Sequence, residues 1–395
     1  MMTDEKYNAL LSQSEDMAKN DPSRYRRKMR FLILLGDLYL AAIILVLLGL
    51  LLGSLFLLVR DLWTGALGWQ TALAVPVLLS AVWLTRMLLL MKGGRKPIPG
   101  IPVSQEQAPE LYAMIDTLCA QADVRPLRRV LITNEFNASV DQLPRLGVFG
   151  WHRKTLLLGL PLLKSMTVEQ FKAVLAHELG HLVKQGDAAA SRRVHYQMIR
   201  WTGLAETLGD DPHGWLFKHF LEWFIPYCTA WALPQARMSE FEADALSVRL
   251  VSYETVVETL SLNHVIDGYL EQLYWPAVLK LAEQHPEPSF SPYERMGGNL
   301  CAALPDVFVE YWLGQSMQVK TELEHTHPCL RERFEALQAS PRIVLAQAGK
   351  TAEGLLGSGL QPVAQQMDKE WQDGIRSWWT EQYEKARKKQ GQPAE

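Results

Sequence analysis

The sequence predicts an α+β protein: an N-terminal transmembrane helical hairpin, then a mostly helical domain with a small β-sheet. Three observations carry this. Two long uncharged apolar runs stand almost back to back near the start. Short apolar runs with strand character cluster between residues 128 and 160. Helical periodicity then extends nearly to the end, and it includes the stretch LAHELGHLVKQGD, Leu175–Asp187.

The apolar runs are Leu38–Val59, 22 residues, and Leu62–Thr85, 24 residues. About 20 apolar helical residues cross a bilayer core, so each is long enough to span. Gln70 and Pro76 interrupt the second run, and a membrane helix tolerates such a proline. Arg60 and Asp61 mark the expected turn between the spans. A signal peptide does not fit, because the apolar run is too long and no small-residue cleavage site follows. Basic residues flank both outer ends: Arg24–Arg30 before, and Arg86, Lys92, Arg95 and Lys96 after. The positive-inside rule then places both termini and everything beyond residue 96 on the cytoplasmic side of the plasma or inner membrane. Asp37 is expected to snorkel at that edge.

Bulk properties narrow the function. A formal net charge of -3 gives no basic footprint for nucleic acid. Cys119, Cys228, Cys301 and Cys329 are widely spaced and form no CxxC pair. They make neither a disulfide framework nor a cysteine zinc site. No internal repeat is visible. The chain divides into a basic N-terminal segment (1–30), the hairpin (31–92), a Gly/Pro linker (93–103), a catalytic-type domain (104–340) and a C-terminal helical extension (341–395).

Within the domain, Ser104 and Gln107 resemble a capping box that opens a helix to about Ala122. Arg128–Thr133, Asn137–Val140 and Lys154–Leu160 read as strands. Thr167 and Gln170 form another capping box, and a helix runs from there through His181. Breaks are expected at Gly209–Gly214 and His285–Pro292. Trp215–Pro234 reads as a buried or interfacial amphipathic helix rather than a third span, because Lys218, His219 and Glu222 occupy its first half. Trp371, Ile375, Trp378 and Trp379 fall on one helical face, expected to pack on the body.

The HExxH stretch carries the chemistry. Residues four apart share one face of a helix, so His177 and His181 can aim at one Zn²⁺ while Glu178 reaches a water there. The third ligand has two candidates. Asp187 lies where HExxHxxGxxH places its last ligand, but that geometry needs a glycine at the position Lys184 holds. Downstream, Ala236–Val248 puts Glu240 and Asp244 on one helical face, with Glu242 on another. Glu240 would complete a His₂Glu site with an open position, and Asp244 would orient a zinc histidine, His177.

HELGH, then RMSEFEAD, then THPCLRERFEAL (Thr326–Leu337), after a membrane hairpin, resembles the HtpX-like and CAAX-prenyl-protease-like integral-membrane zinc metallopeptidases, which are gluzincins. The resemblance covers roughly Asn137 to Leu337. It implies a zincin-type metalloprotease domain binding one Zn²⁺ through His177, His181 and Glu240. It also implies Glu178 as catalytic acid/base, Asp244 behind a ligand, His327 at the oxyanion and Arg333 near the active site. Asn137, Ala138 and Ser139 match the segment whose strand edge binds peptide substrate. Three features depart from the family pattern. Ala236 precedes Arg237 where a serine is usual, Cys329 stands where a second proline often follows His-Pro, and only Trp215–Pro234 could supply a later membrane segment. The implied function is endopeptidase cleavage of membrane or membrane-proximal proteins, including misfolded ones. A non-catalytic zinc-binding membrane scaffold of the same fold is the rival.

Overall fold

The structure is a computed structural model that describes all residues except 1–2, 66–67, 91–98, 145–151, 184–185, 209–214, 301–303, 348 and 390–395. Most of the expected linker, Lys184 and the break at 209–214 therefore lie outside the described residues.

Helix α1 (Asp4–Asn20) leads into α2 (Pro22–Thr64) through Asp21. Its carboxylate accepts from the Arg24 amide at 2.9 Å, and Pro22 starts α2 where no amide is needed. α2 is long and apolar enough to cross a membrane. It packs against α3 (Trp69–Leu90). The buried residues Leu40, Leu47, Ser54 and Asp61 of α2, and Ala74 and Ala81 of α3, recur at seven-residue steps. That spacing keeps one stripe of each helix on its neighbour, and the small side chains allow close approach.

The turn is not at Arg60–Asp61. α2 runs on to Thr64 and is capped by Gly65 in the left-handed region, φ 67°. Arg60 and Asp61 stay helical because their charges are met locally. Arg60 donates to Asp61 at 2.6–2.8 Å and to Gln70 at 2.6 Å, and Thr71 donates to Asp61. The polar pair read as a loop is a clasp between helices. Asp37 stays exposed, its side chain 51% accessible, and is partnered as well. It accepts from Gln197 at 2.7 Å and Arg200 at 2.8 Å, both on α7 (Gly186–Leu208).

The lower part of α2 is built into the body. Tyr25, Met29 and Leu32 share a core with Trp201 of α7 and Phe224 and Trp231 of α8 (Trp215–Leu250). A side chain at Gly36 would stand 2.8 Å from Gln197 and 3.0 Å from Trp201, so α2 and α7 cross there with no room to spare. The Trp215–Pro234 segment is the first half of α8, packed against α1 and α7.

The sheet has order β1-β2-β4-β3: β1 (Ile101–Val103), β2 (Val130–Thr133), β3 (Ala138–Pro144) and β4 (His152–Gly159). β2 and β4 are parallel and the outer pairs antiparallel. β4 is interior, so Lys154–Leu160 offers no free edge to a peptide; β1 and β3 are the two edge strands, and β3 is the edge beside β4. β1 arises inside the stretch read as linker, where three residues pair with β2. Ser104 and Gln107 bond each other as expected, but they close a turn, and α4 (Pro109–Gln121) starts after it. Short helix α5 (Leu160–Ser165) follows β4. The Thr167–Gln170 box does open α6 (Val168–Gly180).

The remaining helices are α9 (Tyr253–Tyr269), α10 (Trp275–Lys280), α11 (Pro292–Leu300), α12 (Asp306–Gln318), α13 (Leu330–Leu337) and α14 (Leu360–Lys389). α9, α11 and α14 contribute buried residues to the main core with the sheet and α6, and α13 packs Leu330 and Phe334 in a smaller cluster with α9. Within α14, Trp379 is buried and Trp371 packs on Trp275, whereas Trp378 is 40% exposed, so the aromatic face is only partly used.

α6 and α8 meet at Gly180. A Cβ there would lie 2.7 Å from the Cα of Ala243. A glycine in the middle of a helix costs roughly 0.5–1 kcal/mol against alanine, an upper bound for Gly180, which ends α6. Overpacking a tight contact costs about 1–3 kcal/mol. The second effect is the larger, so Gly180→Ala is expected to lower the melting midpoint. An unchanged or higher midpoint would refute this account of the contact.

Candidate metal centre and cleft

The capping box sets the start of α6, and three turns later the helix delivers His177, Glu178 and, at its C-cap, His181. α8 brings Glu240 and Asp244 from the other side. The Gly180–Ala243 contact lets the two faces touch, and Ser247 secures it by donating to the Ala173 carbonyl of α6 at 2.7 Å. Glu240, Asp244 and Ser247 form one stripe of α8 at steps of four and three.

His177 Nε2 lies 3.4 Å from Glu240 Oε2, and His181 Nε2 lies 3.2 Å from Glu240 Oε1. Their ligand atoms lie within 4.8 Å of one another. Glu240 Oε2 is buried and has no aligned hydrogen bond, although His327 Nδ1 also stands 3.0 Å away. Two imidazole nitrogens and a carboxylate oxygen that converge without satisfying one another suit a divalent cation, and the donor set is one zinc accepts. Asp187 begins α7, and its side chain is not among those described; Glu240 is the carboxylate that meets both imidazoles. Glu242 is not in the cluster.

Behind the ligands, Asp244 Oδ1 is 2.9 Å from His177 Nδ1. Arg333 of α13 grips the same carboxylate with two bonds, 2.8 Å to Oδ2 and 2.5 Å to Oδ1. Its guanidinium is 3.4 Å from His177 Nδ1. Arg333 thus acts on the site through Asp244. Asp244 and Arg333 are both largely buried, and the pair keeps two charges in the interior that neither could occupy alone.

Burial opposes the charge on His177, but bonds to Asp244 and Glu240 overcome it and raise its pKa to about 9. The same imidazoles, with His327, hold Glu240 ionised far below its ordinary range against the effect of burial. Glu178 goes the other way. Burial raises its carboxyl, and the pull of His177 and His181 does not cancel that rise. A carboxyl lifted toward neutrality suits a group that must take and return a proton. His327 is raised chiefly by the Glu240 carboxylate beside it.

These groups open onto a cavity of about 180 Å³. Glu178, His177 and His327 line one part of it; Phe136, Asn137 and Ala138, where β3 begins, line another. Ser139 is not among the lining residues. Asn137 has its carbonyl bonded to the Gly159 amide at 2.8 Å, which fixes the strand start against β4. Sequence reading missed Gly180, Ser247 and Phe136. The glycine inside a helical motif and the serine seven residues beyond Glu240 were the available signals.

Ligation needs neutral imidazole, so protons compete with the metal at His177. In the metal-free protein, protonated His177 stabilises the fold fully below about 6.5 and loses that effect as pH rises through about 9. Zinc affinity is therefore expected to rise between those pH values, by about tenfold per unit for one displaced proton. Chelator competition measures this, and a flat profile would exclude it.

Neither the curated proteins nor the solved structures compared with this chain match it. The family model described as Peptidase family M48 matches residues 107–340. That span holds β2 to β4, the α6 and α8 histidine and carboxylate stripes, His327 and Arg333. The chain therefore belongs to Peptidase family M48, the family of HtpX-like and CAAX-protease-like zinc metallopeptidases.

Proposed function

We propose that the protein is a membrane-anchored, zinc-dependent endopeptidase that cuts membrane or membrane-proximal protein segments, including misfolded ones. The observation that carries this is the convergence of His177, His181 and Glu240, with His177, Glu240, Glu178 and the start of edge strand β3 lining one cavity. His177, His181 and Glu240 would hold the zinc, which when bound supplies Lewis-acid polarisation of water and carbonyl.

The chain's own residues do the rest. Glu178 takes the proton of the attacking water and later gives it to the leaving amine, a double use that its raised pKa favours. His327, drawn toward protonation by Glu240, donates to the developing oxyanion. Asp244, held by Arg333, fixes the tautomer and plane of His177. An extended peptide would add to the outer edge of β3 by main-chain bonds, so selectivity for side chains is modest.

The apolar hairpin supports membrane anchoring. Leu38–Val59 as a helix is about 33 Å long, against a bilayer core of about 30 Å. Its outward residues are apolar, with Leu45 67% and Phe56 66% exposed. Trp63 and Trp69 stand out at its tip, as interfacial tryptophans do. Both termini and the catalytic domain then share the cytoplasmic side.

In detergent, Glu178→Gln is expected to keep one zinc per chain and to lose casein cleavage by a factor of about 10² to 10⁴. Equal cleavage by both proteins would remove Glu178 from the reaction, and absence of zinc from both would remove the site. For topology, a cysteine placed at residue 65 should react with a membrane-impermeant thiol reagent from the opposite side to one placed near the C-terminus. Labelling from the same side would discard the two-span reading.

A further inference from the structure

We infer that Arg237 sets the position of His327, through a clamp that it shares with the N-terminal helix α1. This rests on the proposed role of His327 in catalysis.

Arg237 lies one turn before Glu240 on α8 and is only 7% exposed. One terminal nitrogen of its guanidinium donates to two loop carbonyls, His325 at 2.6 Å and Leu323 at 3.3 Å. The other pairs with the carboxylate of Glu15 on α1. The loop it grips, between α12 and α13, has no helix or strand of its own, and His327 projects from it largely exposed. Its Nδ1 can meet Glu240 Oε2 only if the loop backbone delivers the ring there. That backbone is held two residues away, at the His325 carbonyl that Arg237 grips. The far end of the loop is tied separately, by the Cys329 amide to the Thr321 hydroxyl at 2.7 Å.

Helical pitch links the clamp to the metal cluster. Three residues of α8, about 4.5 Å of rise, separate Arg237 from Glu240. The turn that presents Glu240 to His177 and His181 therefore also sets the loop carbonyls, and His327 Nδ1 arrives 3.0 Å from Glu240 Oε2. A lysine in place of Arg237 keeps the charge but cannot reach carbonyls and Glu15 through a planar fork. Glu15 is the anchor on the other side, and α1 is itself fixed by Ser14, which donates to the Ala230 carbonyl of α8 at 2.9 Å.

A double-mutant cycle on the full-length zinc protein tests this, reading kcat, KM, zinc content and melting midpoint. Arg237→Lys is expected to lower kcat about tenfold, with KM and zinc content unchanged. In a His327→Ala background the same substitution should cost nothing further. Glu15→Gln, which leaves Arg237 in place, should lower kcat by a few fold and show the same non-additivity; it carries the test if Arg237→Lys folds poorly. Equal losses in both backgrounds would show that Arg237 acts on the fold at large and would overturn the inference. Full kcat in His327→Ala alone would remove the catalytic role of His327, and the inference with it; that outcome is visible before Arg237 is touched.

Discussion

The site depends on one close contact, that of Gly180 on α6 with Ala243 on α8. Gly180 puts no side chain into the contact, so the α6 backbone rests directly on the Cα and Cβ of Ala243. Residues within a turn of the contact must therefore meet, and those residues are His177 and His181 on one helix and Glu240 and Asp244 on the other. A larger residue at either position must push the two helices apart and move the imidazoles away from the carboxylates. The Ser247 bond to Ala173 holds the same pair of helices one turn further on.

That contact also sets the electrostatics. Bringing two carboxylates and two imidazoles into one half-buried space is costly unless each charge has a partner. Asp244 has Arg333 and His177; Glu240 has three imidazoles around it. Glu178, next in sequence to His177, points at the same cavity without a cation in contact, and burial raises it. Two glutamates in one site are thus driven to opposite protonation tendencies by their surroundings. One suits a ligand and the other suits proton transfer.

α2 joins this chemistry to the apolar hairpin. Its first turns pack with Trp201 and Phe224 in the helical body, and its later turns present leucine and phenylalanine outward. Around Gly36 and Asp37 the helix is tied to α7. The glycine admits α7, and the aspartate is held by Arg200 and Gln197 of α7. Helix α8 is shared as well, since its first half lies in the core with α2 and its second half carries Glu240 and Asp244.

Much of this was legible in the chain itself, and the reason is locality. The apolar lengths of α2 and α3, the capping box before α6, the four-residue spacing of His177 and His181 and that of Glu240 and Asp244 are all written within one or two helical turns. Period and end signals act over that range. Resemblance to a family then supplied what spacing could not, the choice of Glu240 over Asp187 and any role for His327 and Arg333. What only the tertiary structure decided involves residues far apart in the chain. Asp37 meets Arg200, Arg237 meets both Glu15 and the His325 carbonyl, β1 forms inside a Gly/Pro stretch, and β4 lies inside the sheet so that β3 is the edge beside it. Each of these is set by how elements approach one another. A sequence records the faces that could meet; the distance at which they meet is set by packing, here by a glycine with no room for a Cβ.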